Sequence, residues 1–257
     1  MTQIKGYSVG DIQAQAAFTS EIEINGLPPL QDFVNHQNIH RKPMDARPGM
    51  YLKYLPHQYD PVYGQLRSGG AYLFDTRENA SEYWDWTTNV FEGEPGVKFW
   101  SLPLFKSSKR FIWQVIGATN FAPVDVHAVG RFQRWSYDGS NVEEELKRVY
   151  PELKKKAKEQ GAVAFWLLHH PEEKQICIQL AFPKVEGADP LTVGHESLAY
   201  ATSQAALDSL FPSSIKATKL VDRTSLFITI WLPKSRLEGG VHYSHPTYPT
   251  LPSVQDE

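Results

Sequence analysis

Residues 124-VDVHAVGRFQRWSYDGSNVEEELKRVYPELKKKAKEQG-161 change their apolar period from two residues to about 3.6 across the polar step at 138–141. Alternation over 124–137 predicts a strand, because successive side chains of an extended chain point to opposite faces. From 140 to 161 the spacing of Val142, Leu146, Val149, Leu153 and Ala157 predicts a helix with one apolar stripe. Ser140 with Glu143, or Asn141 with Glu144, has capping-box spacing, and Glu143 to Glu145 suit the positive end of the helix dipole. Lys154 to Lys156 lie at the other end, Gly161 is the expected stop, and Pro151 predicts a kink or a division.

Working outward, 162-AVAFWLLHH-170 and 174-KQICIQLAF-182 read as strands of a hairpin joined through Pro171-Glu172-Glu173. A helix is predicted over 196–211 and a strand over 223–233, which Pro233 ends. The order β-α-β-β-α-β is that of a ferredoxin-like unit, an antiparallel sheet with both helices on one face. The first half can be laid out the same way, with strands at 15–24, 49–56 and 68–75, a short helix within 27–38 and a helix at 77–91. It closes with a strand pair or one long bent strand over 98–105 and 110–121, and Asp75 with Glu78 forms the predicted box of the 77–91 helix. The expected class is α+β: two ferredoxin-like βαββαβ units, 1–122 and 123–237, packed sheet to sheet as an α+β barrel so that each buries the other's bare face. Residues 238–257 carry three prolines and read as an extended arm.

A chain of 257 residues with 41% hydrophobic and 21% charged content has the composition of a globular protein. A net charge of -3 offers no field for collecting phosphates, so nucleic acid is not an expected partner. No apolar run reaches the roughly 18 residues of a membrane span, and the N-terminus lacks a signal pattern, so a cytoplasmic protein is expected, as a monomer or homodimer. The single cysteine, Cys177, reads as a core thiol.

The stretches 48-PGMYLKYLP-56, Gly69-Gly70-Ala71-Tyr72-Leu73-Phe74 and 78-ENASEYWDW-86 resemble the antibiotic-biosynthesis monooxygenase-like members of the dimeric α+β barrel superfamily. The resemblance implies the barrel fold and a ligand cavity between sheet and helices. It also implies a choice among cofactor-free oxygenases, haem enzymes, cyclases and isomerases. It carries no fixed set of catalytic residues.

Seven Trp, twelve Tyr and thirteen Phe are more aromatics than packing usually asks for. On the 77–91 helix, Ala80, Tyr83, Trp84, Thr87, Val90 and Phe91 fall on the face toward the sheet, with Trp86 at its margin. Tyr83, Trp84 and Trp86 either fill a core or wall a pocket for a flat substrate. Gly69 and Gly70 suit a bulge or close approach of a ligand. On the 124–137 strand, Asp125, His127, Arg131 and Trp135 share one face with Val129 and Gln133. These charges either satisfy one another, or His127 takes a proton from a phenol or carbon acid while Arg131 steadies the anion. Trp135 would help position the ring, and His57 and Tyr59 would rim the cavity.

His169 and His170 face opposite sides of a strand and are not expected to share a metal, and His36 with His40 lacks the glutamate of a zinc-protease helix. His242 and His245 fall in the arm. If haem is bound, His195 or His170 is the expected ligand. No phosphate-cradling loop or G-x-S-x-G motif is present. The expectation is therefore an enzyme without a nucleotide cofactor that oxygenates, cyclises or cleaves a small aromatic or polyketide-like molecule. The alternatives are a haem-dependent enzyme and a non-catalytic small-molecule binder.

Overall fold

In the computed structural model, the described residues are 9–26, 47–60, 65–124, 128–184 and 210–231, with single positions 28 and 43. In chain order the elements are β1 (Gly10–Asp11), β2 (Ala16–Ile24), β3 (Met50–Asp60), β4 (Gln65–Phe74) and helix α1 (Arg77–Asn89). Then come β5 (Glu92–Glu94), β6 (Val97–Lys98), a 3-10 turn at Phe99–Ser101, β7 (Phe105–Asn120), β8 (Ala128–Tyr137) and α2 (Val142–Glu159). The last are β9 (Ala164–His170), β10 (Gln175–Lys184) and β11 (Ala217–Trp231).

The long strands follow the order β7-β2-β4-β3-β11-β8-β10-β9, and β9 pairs back onto β7 from Gln114↔His169 to Asn120↔Ala164. All these pairings are antiparallel, so hydrogen bonds run round a closed barrel of two ferredoxin-like units. Each set of four has the same internal order, fourth-first-third-second, and the second strand of each set meets the fourth of the other. The edges that the two sheets would have left open are thereby paired.

The interior is narrow because one face of the wall is rich in alanine: Ala17, Ala71, Ala118, Ala128, Ala164 and Ala181 point inward. Large aromatics occupy the space so left. Tyr54 stacks between Trp166 at 5.0 Å and Phe227 at 4.6 Å, and Trp113 Nε1 donates to Thr19 Oγ1 at 2.7 Å. Cys177 is a buried free thiol in the same layer, and burial pushes its pKa well up.

Outside the barrel, α1 lays Ala80 and Tyr83 on Phe18, Tyr72 and Phe74, while α2 lays its apolar stripe on Phe165, Leu167, Ile176 and Ile178. Among the described residues no helix is long and apolar enough to cross a membrane.

Several local expectations are corrected. The N-cap of α1 is Thr76, which accepts from Asn79 N at 3.2 Å, and Asp75 instead accepts from Asn79 Nδ2 at 2.7 Å. Val90 caps the other end and is 62% exposed, because the helix stops before that residue can turn to the sheet. Neither expected box starts α2: Asn141 adopts a left-handed conformation (φ 62), which the short Asn side chain tolerates. Pro151 sits within an unbroken α2, exposed like Lys147 four residues earlier, so the carbonyl it leaves unbonded can turn to water. Of the segment 98–105 only the ends are strand, Lys98 in β6 and Phe105 in β7, and the 3-10 turn Phe99–Ser101 lies between them. Gly69 and Gly70 stay in register opposite Glu21 and Ser20, and a Cβ on Gly69 would lie 2.2 Å from the Ser20 carbonyl oxygen, so backbone approach explains this glycine. The predicted helices at 27–38 and 196–211 fall largely outside the described residues, and the arm at 238–257 wholly so.

Candidate functional site

Among the described residues, the end of β9 at His170 leaves the first half of β7, Phe105–Trp113, without a neighbour on that side, since their pairing begins at Gln114. Beside this gap a cleft of about 290 Å³ opens between α1, β7 and the β9–β10 turn. Trp84, Arg110, Phe111 and His170 line it, together with Asp85 and Glu173.

Arg110 points outward from β7 toward α1. Its guanidinium carbon lies 4.2 Å from the ring centroid of Trp84 and 4.7 Å from that of Trp100, and Nη1 donates to Thr88 Oγ1 at 2.7 Å. Burial alone pulls its pKa below the ordinary guanidinium value, and no carboxylate among the described residues lies within ion-pair distance of it. A partly desolvated cation held by two indole faces is fixed in place while its charge stays unneutralised.

His170 packs edge-on against Phe111 at 6.3 Å and Trp113 at 5.7 Å, and its side chain is 15% exposed. Nδ1 accepts from Glu173 N at 3.3 Å in one tautomer; in the other it donates to Glu172 Oε2, also at 3.3 Å. The second tautomer leaves Nε2 with a free lone pair, the form a proton acceptor requires.

Of the substrate-binding residues expected from sequence, the structure brings Trp84 into this cleft and no other. Tyr83 is buried in the α1 core beside Phe18 at 5.1 Å. Trp86 stacks on Phe91 at 4.5 Å, with Arg47 over its ring at 4.3 Å. Trp135 packs on Phe211 at 4.3 Å, on the outer side of β8. His57 is half-buried on β3, where burial lowers its pKa to about 4, and of Tyr59 only the backbone is described, paired with Leu66.

Asp125 and His127 lie outside the described residues. Arg131 is on the outer, helix-bearing face of β8 with Val129, and pairs with Asp222 through Nε at 3.0 Å and Nη2 at 2.9 Å. The inward face of β8 carries Ala128, Gly130, Phe132 and Arg134. Arg110 was missed in the sequence although 110-RFIWQ-114 alternates plainly; the signal was its register with Ile112 on the face that α1 covers.

Of the two expected haem ligands, His195 lies outside the described residues, and His170 lines a cleft of about 290 Å³, at the small end of ligand pockets. No group of three or more His, Cys, Asp or Glu side chains suited to a metal ion occurs among the described residues.

No protein-family model and no curated protein matches the chain. Among solved structures, it is similar to a putative monooxygenase from Fusobacterium nucleatum, with a TM-score of 0.55 and 9% identity over 90% of this chain and 97% of that one. It is also similar to an anthrone oxidase-like protein (TM-score 0.49, 10% identity, 88% and 94% covered). A third is a Listeria monocytogenes ferredoxin-fold protein related to antibiotic biosynthesis monooxygenases (0.37, 8%, 81% and 94%). At such identities the likeness speaks for architecture alone: the chain has an α+β barrel fold similar to that of the Fusobacterium protein.

Proposed function

We propose that the chain is an enzyme that binds a small, flat, ionisable molecule of the phenol or enol class in the cleft between α1 and β7. Trp84 supplies a wall, Arg110 faces the anion that forms, and His170 accepts the proton through Nε2. The observation that carries this reading is Arg110: a cation clamped between two tryptophans, with no carboxylate in ion-pair distance among the described residues, in the same cleft as a histidine. The pairing of Arg131 with Asp222 favours Arg110 for the anion-facing role expected of Arg131.

Deprotonating a phenol or an activated carbon acid makes an electron-rich anion. That anion is the common starting point for oxygenation, ring closure and bond cleavage, and it needs no nucleotide. The similar monooxygenase fold from Fusobacterium supports, by analogy, an oxygenation. We also propose that the chain arose by tandem duplication, which the matching strand orders of its two halves support; one chain would then supply both layers of a barrel that could stand as a monomer.

A panel of phenolic and quinonoid compounds, followed by mass spectrometry, tests the activity. With a turned-over compound in hand, His170→Ala should lower kcat by at least about 100-fold. Unchanged kcat would remove His170 from the reaction, and saturable binding without product would make the protein a binder.

A further inference from the structure

Consecutive residues of β7 face opposite ways, so Lys109 points into the barrel mouth while Arg110 points out to the cleft. The mouth holds a second cluster of charge, independent of the site above. Glu21 Oε1 accepts from Arg134 Nε at 2.7 Å, Arg223 Nη2 lies 3.4 Å from Glu21 Oε2, and Arg134 Nη1 donates to Gln175 Oε1 at 3.0 Å. Side-chain exposures are 6% for Glu21, 7% for Arg134 and 22% for Arg223. Two guanidiniums therefore share one carboxylate in a place where water screens little, and one positive charge is left over.

The other nearby acid, Glu23, makes no ion pair among the described residues: it accepts from Ser107 Oγ at 3.1 Å. Lys109 adds a third cation, with no carboxylate partner among the described residues. These side chains and the apolar Leu220 and Val221 surround a pocket of about 310 Å³. Three cations face two carboxylates there, an excess of one. Glu21 and Arg223 also line an inner cavity of about 40 Å³, room for a few waters, bounded by Ser20, Gln58, Ser225 and Phe132. Gln58 Oε1 is buried there with no hydrogen-bond partner. Burial lowers the pKa of Arg223, opposed by Glu21 and Glu23 and aided by Arg67 and Arg134.

The geometry points to a binding site for a small carboxylate at the barrel mouth, its oxygens held by Arg223 and Lys109 and its carbon body lying on Leu220 and Val221. The excess of a single positive charge favours a monoanion over a phosphate dianion, and the inner cavity leaves room for a ligand hydroxyl or carbonyl to reach inward.

Calorimetric titration with sodium acetate, sodium benzoate and inorganic phosphate, at constant pH and ionic strength, tests the assignment on the full chain. Saturable binding of a carboxylate is expected, weakened at least tenfold in Arg223→Gln and several-fold in Lys109→Met, and unchanged in Arg110→Gln. Lys109 is the safeguard, since its replacement breaks no ion pair among the described residues and should leave folding intact. No saturable carboxylate binding, tighter binding of phosphate, or equal affinity in Lys109→Met would overturn it. Loss of binding in Arg110→Gln alone would place the ligand in the outer cleft instead.

Discussion

The guanidinium of Arg110 stands 4.2 Å from the ring of Trp84, one turn before the end of α1, and so ties the helix to β7 at the edge of a cleft. An arginine used only to staple helix to sheet would be expected to carry an ion pair. This one spends its planar faces on two indoles and leaves its charge to whatever enters the cleft.

Arg110→Met should therefore cost little stability. Loss of two partly exposed cation–π contacts and of the hydrogen bond to Thr88, offset in part by the retained alkyl chain, comes to about 1 to 2 kcal/mol in urea unfolding. A loss above about 3 kcal/mol would mark Arg110 as structural.

Glu21 and Arg134 are joined across 113 positions of sequence, one from each half of the barrel. Arg134→Met should destabilise by about 1.5 to 3 kcal/mol, because Glu21 keeps only its 3.4 Å contact with Arg223, and the paired change Glu21→Gln with Arg134→Met should differ from the sum of the single changes. Chemical denaturation of the three variants checks the coupling.

The stack of Tyr54, Trp166 and Phe227 makes the middle of the barrel solid. Trp166→Ala should cost about 3 to 5 kcal/mol, and the vacated space should bind a small apolar probe that the parent protein rejects. Retention of full stability would mean that the interior is less tightly filled than the ring spacings imply.

His57 is held near pKa 4 by burial, against 6.5 for the free side chain. Below pH 6.5 the unfolded chain takes a proton that the folded chain refuses until about pH 4, so stability falls across that window by roughly 2 to 3 kcal/mol. His169, also depressed by burial, acts in the same direction. In His57→Gln the decline between pH 6.5 and 4 should be visibly shallower by thermal unfolding. An equally steep decline would relieve His57 of this role.

The element order was legible because it rests on period alone. Alternation marked the strands, the 3.6-residue stripes marked both described helices, and the antiparallel units followed. The side of β8 that faces inward was not legible, since both faces carry apolar residues. Narrowness decides it: Ala128 and Gly130 fit against the inner aromatics, and Val129, Arg131 and Gln133 are left to the helix side. Closure of the barrel through β9 and β7 is a relation between distant strands that no local pattern announces. For the same reason Trp84 could be singled out from sequence while its partner Arg110, twenty-six positions later, could not.

The most direct test of the cleft is the affinity of the protein for a phenolate-forming ligand found in the screen, compared between the parent and Arg110→Gln, with circular dichroism confirming an unchanged fold. Our account predicts at least tenfold weaker binding of the ionised ligand in the variant and little change for a neutral analogue of the same shape. Equal affinity of parent and variant for the anion would contradict it.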